Sequence, residues 1–387
     1  MKNHYLFSQP HQPFFLLAFI NALISMFLFM LLFKSILTSE ILSLNYHTYS
    51  FIFLLFTPAF LAFLFTTFPR FSATPPIEKK EYMKVFKLFF AGSIIFHIGI
   101  FATPLLFTLG MILTFLAHLY AVSILYNIYI SSQMPEKEDQ TWILIAMGFG
   151  ILSHFTFIIS IWIPSLHTFS VEVSIYLYLF ILIFTVAQRM VPFFSHAPIE
   201  KHVERLKVII GLLGLHIVLE LIQIHSSFLV DALLAYLVGK ELWRWKLPFP
   251  NPNPLIWILH LSLYWVPVAF GLSAITNIIA LSTGINFLSL GTHALVLGFF
   301  FTMLIGFGTR VTLGHSGNMM QADRLTTILF YWTQIVVVTR ILTSFAVALK
   351  WNFVIFFDLS ITVWMVLFGL WASRFFPVLI SGKKLKS

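Results

Sequence analysis

The sequence predicts an all-α polytopic transmembrane helical bundle of about twelve spans, with both termini cytoplasmic and residues 1–387 forming one integral membrane domain. Three observations predict it. Charged residues make up only 10% of the 387 positions and mean hydropathy is +0.94, far from the balance of a soluble domain. Apolar segments long enough to cross about 30 Å of hydrocarbon recur along the whole chain. The basic residues fall almost entirely on one side of the alternation that those segments impose, as cytoplasmic loops require.

The first segment, 14–33, is long enough to span and lacks a small-residue cleavage site, so it reads as a retained helix and not a signal peptide. Five more follow at 49–68, 85–101, 105–130, 142–162 and 172–187. The seventh and eighth, 206–223 and 226–242, turn near Ser226, and the eighth is short and carries Asp231. The ninth is 255–281, and the tenth, 287–308, runs out into Thr-Arg-Val-Thr-Leu-Gly-His-Ser-Gly at 309–317. The last two, 325–349 and 351–374, form a hairpin near Lys350. Of the 23 basic residues, Lys34 and Lys350 fall on the outer face, Arg340 falls inside a span, and all others fall on the face of the termini. Loops are short, leaving no extramembrane domain, and no sequence repeat is evident between the two halves.

The net charge of +9 does not imply nucleic-acid binding, because the basic residues sit in membrane loops rather than on a solvated domain. With no cysteine there is no disulfide framework, thiolate site or thiol redox centre. Any metal is therefore held by His, Met or carboxylate.

Ionisable residues at membrane depth are functional candidates by default. Arg340 and Asp358 flank the turn at Lys350 at similar height and are expected to pair, fixing the register of the last two helices. Glu220 and Asp231 flank the turn at Ser226, with His216 one helical turn before Glu220. They are expected either to relay protons and orient an imidazole, or to lie hydrated near the outer surface. Of the fourteen histidines, His4, His11, His167, His196, His202 and His225 fall in loops or interfaces. His97, His118, His154, His216, His260 and His293 fall within spans, with His47 and His315 at span mouths. A lone intramembrane histidine is commonly a hydrogen-bonded packing residue. A set of this size also suits haem iron or copper, which take neutral imidazole in helix bundles. No two of the six lie three or four residues apart, so any site must be assembled from separate helices.

The stretch Thr292 to Met320, with His293-Ala294-Leu295, Gly298, Thr309-Arg310 and Leu313-Gly314-His315-Ser316-Gly317, closely resembles the signature near the C-terminal end of the NnrS family. These are polytopic bacterial membrane proteins associated with haem, copper and the response to nitric oxide. Further ordered matches are Pro13-Phe14-Phe15-Leu16, then His47 with Phe63-Leu64 and Thr66 to Pro69, then Arg189 with Val191-Pro192-Phe193-Phe194. Pro254-Leu255, Leu259-His260-Leu261 and Trp265 extend them. Residues 71–150 and the tail beyond 325 contribute little. The chain departs from the family at Asn45 and Thr48, where a histidine and a glutamate are common, and at Gln12, where arginine is usual.

The resemblance implies a bacterial inner-membrane protein that binds haem and copper and protects against nitric oxide or nitrosative stress; it names no electron donor. It carries the roles of ligand or cofactor contact onto His47, His260, His293, His315, Arg310 and Arg189. Depth divides them. His260, His315, Arg310 and Arg189 lie toward the cytoplasmic side, where a haem would take His260 or His315 axially, with Arg310 or Arg189 on its propionates. His47 and His293 lie toward the outside as the expected copper ligands, with His97 and His154 in the same half and His154 a further metal candidate. Headgroup anchoring is an equal alternative for the two arginines, and Gly314 and Gly317 fit the turn after the helix. Two rivals stand beside this reading. One is a secondary transporter using the intramembrane carboxylates, and the other is an accessory subunit of a respiratory complex.

Overall fold

The computed structural model describes residues 4–197 and 203–385, so His202 lies outside the described residues. Among those described, the regular structure is helical throughout, with no strand. Among the described residues, twelve long helices overlap the twelve expected segments. They are α1 (His11–Phe33), α2 (Ser43–Phe71), α3 (Lys79–Ala102), α4 (Pro104–Ser131), α5 (Glu138–Ile159), α6 (Leu166–Phe194), α7 (Val203–Ile222), α8 (Phe228–Arg244), α9 (Pro254–Thr283), α10 (Leu290–His315), α11 (Arg324–Ala348) and α12 (Phe353–Ser381). Ten are long and apolar enough to cross a membrane. The other two are α7, which opens with Glu204, Arg205 and Lys207, and α8, which has 17 residues and closes with Lys240, Glu241 and Arg244. Glu241 ties those charged ends together by accepting from Arg205, Arg244 and Trp245.

Backbone groups in hydrocarbon must be satisfied within the chain, which is why every span is a helix. The ends follow ordinary capping chemistry. Thr103 and Asn253 accept from Leu106 and Leu255 at proline-led starts, and Asp323 caps α11 through Thr326.

The chain resolves into two compact units. The first comprises Met1–Ser174, Arg310–Met320 and Phe368–Ser387, and the second Ile175–Thr309 and Gln321–Leu367. Helices in lipid gain little from hydrophobic burial, so close approach at small residues and interhelical hydrogen bonds hold them. In the first unit α3 and α4 meet at Gly92, Gly99 and Gly110, and a Cβ on Gly99 would lie 2.3 Å from the Phe107 backbone nitrogen. Asn21 on α1 donates to Leu54 O on α2 at 3.1 Å and to Ser93 Oγ on α3 at 2.9 Å. In the second unit Gly291 admits Ser273 and Gly298 admits the Trp265 ring.

Helices α2, α6 and α10 each contain a π-helical segment, at Ser50–Phe56, Val173–Leu179 and Val296–Phe301. These are the three most buried of the ten spans. The π segments start 123 residues apart in both intervals, 50 to 173 and 173 to 296. The two helices after each begin at similar places, at 79 and 104, 203 and 228, and 324 and 353, within two or three residues of the same distance from the π start. A recurrence is therefore present after all. It comprises three sets of four helices, which a comparison of two halves does not detect.

Candidate functional site

A π segment inserts an extra residue per turn, so the side chains before and after it face different directions. His47 and His293 each lie three residues before a π segment, and Ser170 holds that place in the middle set. Thr57 and Thr302 close the first and third π segments by donating to the carbonyls five residues back, Ile52 O and Leu297 O, both at 2.9 Å.

In the first unit, the start of α1 and the end of α10 bring two imidazoles together. The rings of His11 and His315 have centroids 4.9 Å apart at 44°. His11 is not a loop residue but the first residue of α1, and it is buried together with Gln12. Gln12 Oε1 accepts from Ser8 Oγ and from the Gln9 backbone N–H, each at 2.9 Å. The Gln9 donor fixes the amide orientation, so Nε2 is the outward atom. That Nε2 and His11 Nδ1 are buried donor or acceptor atoms without a hydrogen-bond partner among the described residues. Arg70, near the end of α2, acts electrostatically on His315. Arg310 lies half-buried five residues before His315 on the same helix. Beyond His315 the chain turns at Gly317, whose φ of 64° suits glycine, and Lys384 Nζ donates to Ser316 O and Gly317 O at 2.6 and 2.8 Å.

A second group lies deeper in the same unit. His118 on α4 and His154 on α5 face each other with Nδ1 atoms 3.3 Å apart. His154 Nε2 is 2.7 Å from the Tyr49 hydroxyl on α2, which is 2.6 Å from Thr114 Oγ1. Phe53 stacks on His154 with centroids 3.9 Å apart. Nearby, Tyr46 Oη lies 2.9 Å from His97 Nδ1. His47 is flanked by the Phe29 and Phe51 rings at 4.3 and 4.8 Å, and neighbouring Thr48 lies 3.3 Å from His167 Nε2.

The second unit holds the remaining expected residues. His260 is buried on α9, with Nδ1 donating to Pro248 O at 3.2 Å and Nε2 accepting from Ser195 Oγ at 2.6 Å. Arg189 is half-buried near the end of α6. His293 Nδ1 lies 3.0 Å from Ser289 O, and one Arg340 nitrogen lies against the ring, 3.0 Å from Nδ1 and 3.3 Å from Nε2. A guanidinium against that imidazole opposes a metal cation there by like-charge repulsion. Arg340 also binds Leu288 O at 3.0 Å and Ser344 Oγ at 2.6 Å, so its partners are these three rather than Asp358.

Asp231 is buried, not hydrated. One oxygen lies 2.6 Å from His216 Nδ1, and the other accepts from Ser227, Ser273 and Asn277 at 2.9, 2.8 and 3.2 Å. Glu220 accepts from the backbone N–H groups of His225 and Ser227 and so caps the turn. The two carboxylates have separate partners, which weakens the transporter argument built on them.

Among the described residues, no three side chains of His, Asp or Glu gather as a metal site. The imidazoles that meet one another, His11 with His315 and His118 with His154, do so in pairs between separate helices. Of the expected site residues, His315 and Arg310 belong to the first unit with His11 and Arg70, as do His47 and His154. His260, His293 and Arg189 belong to the second. Sequence reasoning missed the roles of His11, His118 and Tyr49. The only available signal for His11 was Pro13, which fits an earlier helix start than the first apolar residue.

No curated protein matches the chain. A family model described as "NnrS protein" matches residues 5–383, nearly the whole length, so this polytopic, all-helical membrane chain belongs to the NnrS family.

Proposed function

We propose that the chain is a haem protein of the bacterial inner membrane that serves the nitric oxide response by binding or detoxifying nitric oxide or its iron adducts. The observation that carries the reading is the pairing of His11 with His315 where α1 begins and α10 ends. The residues present fit haem. Neutral imidazole suits its iron, the Arg70 and Arg310 guanidiniums match propionate carboxylates, and the buried Gln12 Nε2 supplies a further donor. His315 would hold the iron, with His11 beside it, and Arg310, Arg70 and Gln12 would hold the propionates. Bound there, haem supplies an iron that takes nitric oxide as a ligand.

The chain's own residues do the rest. Burial of His11 and Gln12 keeps bulk water from the His11 imidazole, while His315 is part-exposed, and fixing the Gln12 amide through Ser8 and Gln9 holds its donor ready. Nitric oxide is small, neutral and lipid-soluble, so a site at the bilayer's edge meets it as it leaves the lipid. His260, with Nδ1 on a carbonyl and Nε2 presenting a lone pair to one hydroxyl, has the tautomer of a ligand held by its surroundings. It is the alternative residue that would hold the iron.

An anaerobic absorption spectrum of the purified protein, with and without nitric oxide, tests the proposal. A Soret band that shifts on adding nitric oxide is expected, with haem per chain falling at least tenfold in His315→Ala and unchanged in His4→Ala. Absence of both a Soret band and iron would overturn it. Unchanged loading in His315→Ala together with loss in His260→Ala would move the site to the second unit.

A further inference from the structure

We propose that Tyr46 is a one-electron donor inside the first unit, with His97 taking its proton, and that it reduces one-electron oxidants that dissolve in the membrane. Neither residue takes part in the haem proposal, and the inference stands without it.

The first argument is proton placement. Tyr46 on α2 is wholly buried, and its hydroxyl lies 2.9 Å from His97 Nδ1 on α3. If Nδ1 carried the hydrogen and donated, the phenol O–H and the Nε2 lone pair would both go unmet, because His97 Nε2 has no hydrogen-bond partner among the described residues. If Tyr46 donates, Nε2–H alone goes unmet. Buried polar groups without partners are costly, so Tyr46 donates. Its proton already points at a base.

Tyr49, one helical turn on, differs. Thr114 Oγ1 donates to Gly110 O or Met111 O at 3.1 and 2.9 Å and therefore accepts from Tyr49 at 2.6 Å. Tyr49 in turn accepts from His154 Nε2–H at 2.7 Å. The Tyr49 proton thus faces a hydroxyl, which is no base. Two phenols on one helix differ in whether oxidation can release a proton.

The second argument is ring packing. Phe96 is stacked on Tyr46 with centroids 5.4 Å apart at 14°, and on Tyr49 at 4.8 Å and 25°. It also meets His97 edge-on at 5.5 Å. Such stacked and edge-to-face pairs are the favoured aromatic geometries, and they hold phenol and imidazole in place while the charge on them changes.

The chemistry follows from the groups present. With no cysteine in the chain, no thiol can serve as the electron donor. Tyr46 gives one electron to the oxidant, which is reduced by one unit. Its O–H bond breaks, and the proton forms an N–H bond at His97 Nδ1. A neutral phenoxyl and an imidazolium remain. Imidazole is the side chain that takes a proton near neutral pH. Burial of Tyr46 in a spanning helix keeps water-borne ionic oxidants at a distance, so the oxidant is one that enters lipid.

The test uses the purified full chain in lipid nanodiscs with a lipid-tethered ruthenium tris-bipyridine, photo-oxidised by an external electron acceptor. EPR of frozen samples reads the tyrosyl signal. The signal should fall at least threefold in Tyr46→Phe and stay unchanged in Tyr49→Phe. In His97→Gln, which keeps a hydrogen-bond acceptor but removes the base, the radical should decay at least tenfold faster. Equal signals in the wild type and Tyr46→Phe would overturn the proposal, as would an equally long-lived radical in His97→Gln. Should those variants fail to fold, the wild type decides. After exchange into D2O, a deuteron coupling between the radical and the His97 N–D is expected, and its absence would overturn the pairing. These readings need no haem, so a chain without a Soret band sinks the haem reading alone.

Discussion

Asp231 accepts four hydrogen bonds inside the second unit, three of them from Ser227, Ser273 and Asn277, while His216 takes the fourth position under the Tyr176 ring at 4.3 Å. Removing one partner of a buried pair leaves the others desolvated and unmatched, at about 3–5 kcal/mol. Asp231→Ala should therefore lower stability by about that much, and Asp231→Asn by about 1–3 kcal/mol, because its amide nitrogen would face donors. Thermal unfolding in detergent measures both, and an Asp231→Ala variant as stable as the wild type would show the network to be dispensable. At this scale the sequence was half legible. Counting along the helices put Asp231 level with Glu220 and His216 one turn deeper, but which carboxylate the imidazole faces depends on helix rotation, which sequence spacing does not fix. The same holds for Arg340. Its height beside Asp358 was readable, yet its rotation carries it to Leu288, Ser344 and His293.

Close helix packing depends on a few residues with no side chain. On Gly110 of α4 an added Cβ would lie 2.4 Å from the Phe96 backbone nitrogen of α3, an atom that moves only if the helices separate. Gly148 on α5 has open space around the same position. Gly110→Ala should cost about 1–3 kcal/mol by overpacking, whereas Gly148→Ala should gain up to about 1 kcal/mol from helix propensity. Melting temperatures of the two variants should move in opposite directions, and movement of both upward would sink the close-packing argument. Helix positions were legible because each span needs about twenty apolar residues in a row. The π segments were not, because an apolar run has the same composition whether it is wound α or π. The extra turn residue shows only once hydrogen bonds such as Thr57 to Ile52 O are known. Helix starts were misread for the same reason. The first apolar residue, Phe14, set the expected boundary, while the helix begins at His11 and buries it.

The threefold recurrence of a π-bearing second helix gives His47 and His293 equivalent places and leaves Ser170 between them. It puts His315 where the other sets have Pro69 and Pro192, each nineteen residues after the π start. Recurrence also bears on the two helices that fall short of spanning length or hydropathy. In the middle set α7 and α8 stand where α3 and α4, and α11 and α12, cross the membrane, so they are expected to cross as well. Their charges agree with that. Glu204, Arg205 and Lys207 open α7, and Lys240, Glu241 and Arg244 close α8, which gathers the charge at one end and leaves the turn between them at the other. The chain has no cysteine, so single cysteines can be introduced without first removing native ones. If all twelve helices cross and the termini are cytoplasmic, Lys34→Cys, Gln223→Cys and Lys350→Cys should react with an impermeant maleimide in intact cells, and Lys383→Cys only after lysis. If α7 and α8 lie along the face instead, the termini keep their side and only Gln223→Cys changes, joining Lys383→Cys in the protected group. The labelling of that one residue therefore separates ten spans from twelve without depending on the proposed function.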